Sequence, residues 1–233
     1  MNILGIDSSA VSVGAAVCGS GRVIAESFIN NRITHSQTLM PMITDMLVNA
    51  QLTLNDIDVL AVNAGPGSFT GLRIGISAVK GIAYALGKPV RAVSTLHAMA
   101  YNLTLFEGVV CAVMDARCGQ VYNALFEVKG GTVTRLCDDR AIKCDELKAE
   151  LDGKFDDAPV MLVGDGAELC SERFGGGRIM LAPAPLRYQN GVGVCLAAEQ
   201  YPDIDAAALM PQYLRLPQAE RERLAKLSGS GDM

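Results

Sequence analysis

Residues 65–75 read GPGSFTGLRIG, a glycine-rich turn that runs directly into a predicted helix. Backbone N–H groups at such a helix start can hold a phosphate. A phosphate loop, however, places a lysine after its glycines to reach the outer phosphates, whereas the cation of this run is Arg73. The sequence therefore favours a packing role, in which Pro66-Gly67 makes a turn and the Ser68 hydroxyl caps the helix.

Two aspartates, Asp7 and Asp115, close predicted apolar strands. Either carboxylate can organise magnesium for phosphate chemistry, which would make the chain an ATPase or a small-molecule kinase. The alternative is structural, because a strand-end aspartate commonly caps a nearby turn. The two histidines, His35 and His97, are far apart in the sequence, so they cannot form a two-His metal site on one helix. We therefore expect no metal and no catalytic residue.

The composition describes a chain with ample material for a buried core. Of 233 residues, 50% are hydrophobic and 19% are charged, with a mean hydropathy of +0.26. The sequence does not contain the roughly 18 consecutive apolar residues of a membrane helix, and we expect no secretory signal. The net charge of −5 argues against nucleic-acid binding by the chain alone, because such affinity comes mainly from neutralised phosphates. Seven cysteines without metal-type spacing predict a reducing cytoplasm.

Alternating apolar and polar residues predict two copies of one structural plan. The first copy reads as strands near 2–7, 11–18 and 23–29, helices over 35–50 and 69–86, and strands at 58–63 and 90–94. The second copy reads as strands near 109–115, 120–128, 132–137 and 160–163, with helices near 144–151 and 167–173. This duplication predicts an α/β protein of two lobes with a cleft between them. We assign the lobes to residues 1–104 and 105–225, followed by a flexible tail over 226–233.

The two helices of the first lobe carry a wide apolar surface. Met40 and Met42 extend the apolar face of the helix over 35–50. In the helix over 69–86, Gly71 and Gly75 stand one turn apart, where small residues let another backbone come close. Two interpretations stay open, burial in the chain's own core and a partner-docking surface, for which methionines are well suited. They are compatible if different helix faces serve each role.

Each lobe, with three antiparallel strands followed by alternating helices and strands, resembles the actin-like (ribonuclease H-like) ATPase superfamily. In that superfamily the loop after the first strand of each lobe contacts phosphates, and a glycine-rich turn late in the second lobe receives adenosine. The resemblance implies vestigial nucleotide positions at Asp7, Ser8, Ser9, Asp115, Gly164, Asp165 and Gly166.

Five motifs together closely resemble the TsaB (YeaZ) family over nearly the whole chain. They are the stretches 5–9 (GIDSS), 35–39 (HSQTL), 65–75, 115–117 (DAR) and 211–215 (PQYLR). The resemblance implies a non-catalytic scaffold subunit of the bacterial complex that places threonylcarbamoyl on the adenosine next to the anticodon of certain tRNAs. The family's catalyst is the paralogue TsaD, which holds a metal through two His one helical turn apart. Here Leu39 stands four residues after His35, so the resemblance does not carry catalysis over.

The resemblance also implies partners. They are TsaD in a direct heterodimer, the small ATPase TsaE, tRNA only within the complex, and a second copy when the chain is alone, with no membrane. It implies no cofactor for the lone chain and leaves room for ATP or ADP at the complex interface. TsaD would dock on the two helices of the first lobe, at His35, Leu39, Met42, Ile43, Met46, Leu72, Arg73, Gly75, Ile76 and Val79.

Overall fold

A five-stranded mixed sheet forms the first lobe of the computed structural model, which describes residues 1–31 and 34–215. The strands are β1 (Asn2–Asp7), β2 (Val13–Gly19), β3 (Arg22–Ile29), β4 (Val59–Gly65) and β5 (Val90–Ser94). Their spatial order is β3-β2-β1-β4-β5; β1 to β3 pair antiparallel, and β4 and β5 continue parallel to β1. The predicted tail over 226–233 lies outside the described residues.

The second lobe repeats this plan with six strands. They are β6 (Gly108–Asp115), β7 (Gln120–Lys129), β8 (Thr132–Arg135), β9 (Arg140–Lys143), β10 (Val160–Val163) and β11 (Ile179–Leu181). The spatial order is β11-β10-β6-β7-β8, and β9 also pairs with β7. The third strand of the plan is thus divided, since β8 and β9 pair with opposite ends of β7. The two sheets confirm the predicted class, an α/β protein of two actin-like lobes.

Seven helices cover the sheets within the described part of the chain. They are α1 (His35–Asn49), α2 (Phe69–Leu86), α3 (Thr95–Ala100), α4 (Cys144–Lys154), α5 (Ala167–Phe174), α6 (Ala184–Arg187) and α7 (Gly191–Ala198). The sequence patterns predicted α1, α2, α4 and α5 but not the other three helices or the short strands β9 and β11. None of these helices is long and apolar enough to cross a bilayer.

Each of the helices α3 and α7 packs on the sheet of the other lobe, not on that of the lobe to which its place in the sequence assigns it. Leu96 and Met99 of α3 pack in the core of the second sheet, whereas Val194 and Cys195 of α7 pack against the first sheet. The sequence of α7, GVGVCLAA, has no polar side chain, so the helix is stable only where apolar surface surrounds it. A boundary at 104/105 therefore separates the strands but not the packing units.

The chain that follows α7 also packs on the first lobe, although its place in the sequence assigns it to the second lobe. Ile204 pairs with Val90 at the edge of the first sheet, and Leu209 is buried in that lobe's core. The lobe assignment of residues 191–209 is corrected accordingly.

A polar cluster joins the lobes where β5 meets α3. The Ser94 hydroxyl, at the end of the first sheet, donates a 2.6 Å hydrogen bond to Asp139 in the loop between β8 and β9. Arg135 of β8 forms an ion pair of 2.6 Å with the same carboxylate. The Tyr201 hydroxyl accepts a hydrogen bond from the Ser94 N–H and lies 3.0 Å from the His97 Nδ1. These contacts tie the lobes together through side chains.

Candidate functional site

Asp7 ends β1 in a fully buried position beneath the turn to β2. Its Oδ1 accepts hydrogen bonds from the Ser9 N–H (3.2 Å), the Ser9 hydroxyl (2.6 Å) and the Asn63 amide (2.7 Å). Burial raises the pKa of Asp7, and the hydrogen bonds from Ser9 and Asn63 oppose this rise. The carboxylate therefore caps the turn, the structural alternative considered from the sequence. Its Oδ2 has no hydrogen-bond partner within residues 1–31 and 34–215.

The glycine-rich run packs directly on that turn. A Cβ at Gly71 would overlap the Ser8 carbonyl, one at Gly75 would overlap the Ser8 hydroxyl, and one at Gly67 would overlap the Ser9 carbonyl. The Ser68 N–H donates to the Ser9 carbonyl at 2.7 Å, and the Ser68 hydroxyl caps α2 by accepting from the Gly71 N–H. The chain's own backbone thus fills the concave side of this turn. The predicted packing role and the Ser68 cap are confirmed.

The second lobe presents Asp115 at the matching position after β6. Asp115 is exposed, and its Oδ1 accepts a 2.7 Å hydrogen bond from the Arg117 N–H. Gly164 and Gly166 pack against the end of β6, where a Cβ would meet Val113 and Met114 backbone atoms. These two glycines therefore have a packing reason of their own.

Asp165, between those glycines, accepts a 2.8 Å hydrogen bond from the Gln189 amide. Burial above all, together with the negative charges of Asp115 and Asp7, raises the pKa of Asp165 to about 6, although the hydrogen bond from Gln189 lowers it. The carboxylates predicted from the two lobes are thus close enough to influence one another. Within the described residues, no group of three Asp, Glu, His or Cys side chains has the spacing to hold a metal ion.

A cleft of about 500 Å³ lies between these turns, and the C-terminal segment 211–215 crosses it. Its Gln212 N–H donates to the Ala64 carbonyl at 2.7 Å, and Arg215 donates to the Ala116 carbonyl of the second lobe at 2.7 Å. The cleft is lined by Ser9, Ala10, Val11, residues 67–70, residues 115–117, Tyr122, Asp165 and residues 213–215. Three of the seven predicted nucleotide positions, Ser9, Asp115 and Asp165, thus line one cleft, and segment 211–215 of the same chain lies across it as a strap.

Most of the predicted docking residues lie in the core of the first lobe. Eight of them are buried under the chain's own sheet: Leu39, Met42, Ile43, Met46, Leu72, Gly75, Ile76 and Val79. This apolar stripe of α1 and α2 covers β1, β2 and β4, so the structure gives these residues a role in the core. Their contact with a partner stays a prediction. His35, the first residue of α1, is partly buried, and its Nε2 lies 2.8 Å from the Ala10 carbonyl. Arg73 remains exposed.

The opposite faces of the same two helices are exposed and nearly uncharged. On α1 the exposed stripe is Ser36, Met40, Thr44 and Val48, and on α2 it is Arg73, Ser77, Gly81 and Ala85. A groove of about 660 Å³ runs between the helices, lined by His35, Ser36, Leu39, Met40, Phe69, Thr70, Arg73, Ile74, Ser77 and Ala78. We call these two stripes and the groove the α1/α2 face.

Several residues that shape these surfaces were not predicted from the sequence. Asn63 holds Asp7, and its signal is present in the sequence, because it is the one polar side chain in the apolar run of β4. Gly81 is exposed on α2, and a Cβ there would meet no atom within 4 Å. Tyr213 stacks on Phe69 at 4.4 Å between ring centroids, a contact that no local pattern predicts.

Known protein families agree with this architecture. A family model described as "TsaD: tRNA N6-adenosine threonylcarbamoyltransferase" matches residues 22–182. The tRNA threonylcarbamoyladenosine biosynthesis protein TsaB of Bacillus subtilis is 31% identical over 223 residues, which are 94% of this chain and 96% of that protein. The TsaB protein of Escherichia coli is 40% identical over 129 residues, 54% of this chain and 55% of that protein.

Solved structures extend the similarity to three dimensions. YeaZ from Pseudomonas aeruginosa superposes with a TM-score of 0.77 at 26% identity, covering 91% of this chain and 99% of that one. A second Pseudomonas aeruginosa structure, described as similar to peptidase YeaZ, gives a TM-score of 0.79 at 27% identity, with 92% and 99% covered. Together with the relative that matches almost from end to end, these findings show that the chain belongs to the TsaB (YeaZ) family.

Proposed function

We propose that this protein is a scaffold subunit in the formation of threonylcarbamoyladenosine in tRNA, and that it docks on the transferase subunit TsaD through the α1/α2 face. The proposal is supported by the near full-length relative from Bacillus subtilis, which is named for this pathway. TsaE would be recruited to the resulting pair, and tRNA would be contacted only within the complex, in the cytoplasm.

The observation that carries the docking proposal is Gly81. A glycine inside a helix destabilises it by about 1 kcal/mol relative to alanine. Gly71 and Gly75 are explained by the turn that packs on them, but a Cβ at Gly81 would point into open space. Gly81 belongs to the exposed stripe of α2 and borders a pocket that Lys80, Lys88, Asp203 and Asp205 also line. The smallest residue at this position allows the close approach of another helix. The helix packing of a partner supplies that compensation.

A non-catalytic role is supported by how the predicted nucleotide residues are used. Asp7 caps a turn with one oxygen, and Ser8 packs against Gly71 and Gly75 of α2. Gly164 and Gly166 pack on β6. Segment 211–215 also occupies part of the cleft. We propose that the lone chain needs no cofactor and that ATP or ADP, where present, binds at the interface of the complex.

Two observations favour the rival function, an ATPase or kinase. The negative charges of Asp115 and Asp7 contribute to the raised pKa of Asp165, and the Asp7 Oδ2 lacks a partner among the described residues. Calorimetric titration of the lone chain with magnesium and ATP separates the two functions. We expect no binding heat and no turnover; stoichiometric binding followed by hydrolysis would instead support a working nucleotide site.

The docking proposal is tested by titrating the chain with purified TsaD from the same source. We expect the wild type to bind and Gly81→Leu to lose binding, because the added side chain blocks close approach. Gly153→Leu is the matched control: Gly153 is an exposed glycine of α4 in the second lobe, and a Cβ added there would also point into open space. Equal binding by wild type and Gly81→Leu would reject the α1/α2 face, and no binding by the wild type would reject the partnership.

The lone chain offers the same face to a second copy. We propose that self-association covers the α1/α2 face when TsaD is absent. Sedimentation at increasing concentration measures self-association of the wild type, Gly81→Leu and Gly153→Leu. Loss of self-association in Gly81→Leu alone would show that the second copy uses the α1/α2 face, and equal self-association of all three would reject it.

A further inference from the structure

Arg73 is held in a defined position on the α1/α2 face. Its guanidinium carbon lies 3.8 Å from the centre of the Phe69 ring, and its Nε donates a 2.9 Å hydrogen bond to the Tyr213 hydroxyl. Tyr213 in turn stacks on Phe69. A guanidinium fixed in this way loses little conformational entropy when it binds a further group. Among the described residues, Arg73 forms this one hydrogen bond through Nε, which leaves its two Nη atoms without an ion-pair or hydrogen-bond partner.

Arg73 also carries the single formal charge that lines the groove, as far as the structure describes it. The helices α1 and α2 contain two other charged residues, which lie elsewhere. Asp45 lines a different groove, between α1 and β3. The Lys80 ammonium donates a hydrogen bond to the Ala207 carbonyl, in the chain that follows α7. A partner that covers the α1/α2 face therefore buries one unpaired cation.

Burial of an unpaired guanidinium opposes association, because its hydration is lost without replacement. A carboxylate aligned with the two Nη atoms would remove this penalty and form a directional, bidentate pair. We infer that the partner subunit presents an Asp or Glu side chain to Arg73, and that this ion pair determines which protein docks on the α1/α2 face. This inference rests on the docking face of the proposed function.

The same ion pair would discriminate against a second copy of this chain. The α1/α2 face of a copy brings another Arg73 and no carboxylate from the described residues of α1 or α2, since Asp45 lies on the other side of its helix. Two like charges in one interface weaken it. Arg73 thus favours the heterodimer over self-association.

The test compares Arg73 variants in titrations against purified TsaD, with thermal unfolding as the check on folding. We expect Arg73→Gln to raise Kd about 30-fold or more, the loss typical of truncating one partner of a buried charge pair. Arg73→Lys, which keeps the charge but not the fork, is expected to lose less. Arg22→Gln is the matched control, because Arg22 is an exposed arginine at the turn between β2 and β3.

A charge exchange identifies the partner group. Arg73→Glu should abolish pairing, and one Asp or Glu of TsaD changed to Arg should restore it. For the lone chain, we expect Arg73→Gln to strengthen self-association measured by sedimentation, and a weakening would contradict the inference.

The failures are distinguishable. If Arg73→Gln binds TsaD within about threefold of wild type while Gly81→Leu does not bind, the docking face stands and the ion pair is rejected. If the wild type does not bind TsaD at all, both the inference and the proposed function are rejected.

Discussion

Ser8 and Gly71 are locked to each other: the Ser8 hydroxyl donates a 2.8 Å hydrogen bond to the Gly71 carbonyl, and the Ser8 carbonyl occupies the space that a Gly71 side chain would need. This contact fixes the start of α2 against the turn after β1. It explains why a motif with the composition of a phosphate loop serves as a packing joint here.

Substitution at this joint should destabilise the first lobe. We expect Gly75→Val to lower the free energy of unfolding by about 3 kcal/mol or more, because its side chain would displace the buried Ser8. Urea unfolding followed by circular dichroism measures the change. A Gly75→Val protein as stable as wild type would show that the turn at 8–9 moves aside without penalty.

Gly81→Ala should have the opposite effect on the isolated chain. The added methyl group meets no atom within 4 Å, so we expect a gain of about 1 kcal/mol in stability from helix propensity. Pairing with TsaD should weaken at the same time if helices meet closely there. Calorimetric unfolding and titration of the same preparation report both quantities, and a variant that gains stability with unchanged pairing would remove Gly81 from the interface.

His97 should make stability depend on pH. Burial, with a smaller contribution from the Arg135 charge, lowers the pKa of His97 from 6.5 to about 4. The unfolded chain therefore binds a proton at His97 more readily than the folded chain does. As the pH falls from 6.5 towards 4, the free energy of unfolding should decrease by up to about 3 kcal/mol, whereas above pH 6.5 His97 causes no such loss.

The measurement for His97 is a difference between two proteins. His97→Phe keeps a ring beside Phe126, on which His97 stacks at 5.2 Å, and removes the titration. The wild type should lose more stability than the variant between pH 6.5 and 4, although the raised pKa values of Asp7 and Asp165 act in both. Parallel pH profiles would mean that His97 is protonated in the folded state.

Tyr213→Ala should loosen the strap across the cleft. The variant loses the stack on Phe69 and the hydrogen bond from Arg73, contacts worth about 1–2 kcal/mol together. We expect faster amide exchange at Gln212, whose N–H bonds the Ala64 carbonyl. Unchanged exchange at Gln212 would show that the backbone contacts hold the strap by themselves.

The sequence by itself determined the two-lobe α/β plan, because that plan is written in local patterns. Apolar alternation marked β1 to β8, the 3.6-residue period marked α1 and α2, and a serine placed before an apolar helix marked the cap at Ser68. Each of these signals acts between residues close in the chain, where periodicity and capping chemistry suffice. Helix α7 and the short strands β9 and β11 carry no such period, so they were missed.

Only the tertiary structure decided which faces of those elements are used. The apolar stripe of Leu39 and Val79 turned inward to cover the sheet, which left the nearly uncharged α1/α2 face outside. The strap at Tyr213, the packing of α3 and α7 each on the other lobe's sheet, and the convergence of Asp7 with Asp165 all join segments far apart in sequence. No local pattern contains such contacts, because burial depends on what the rest of the chain brings to the same place.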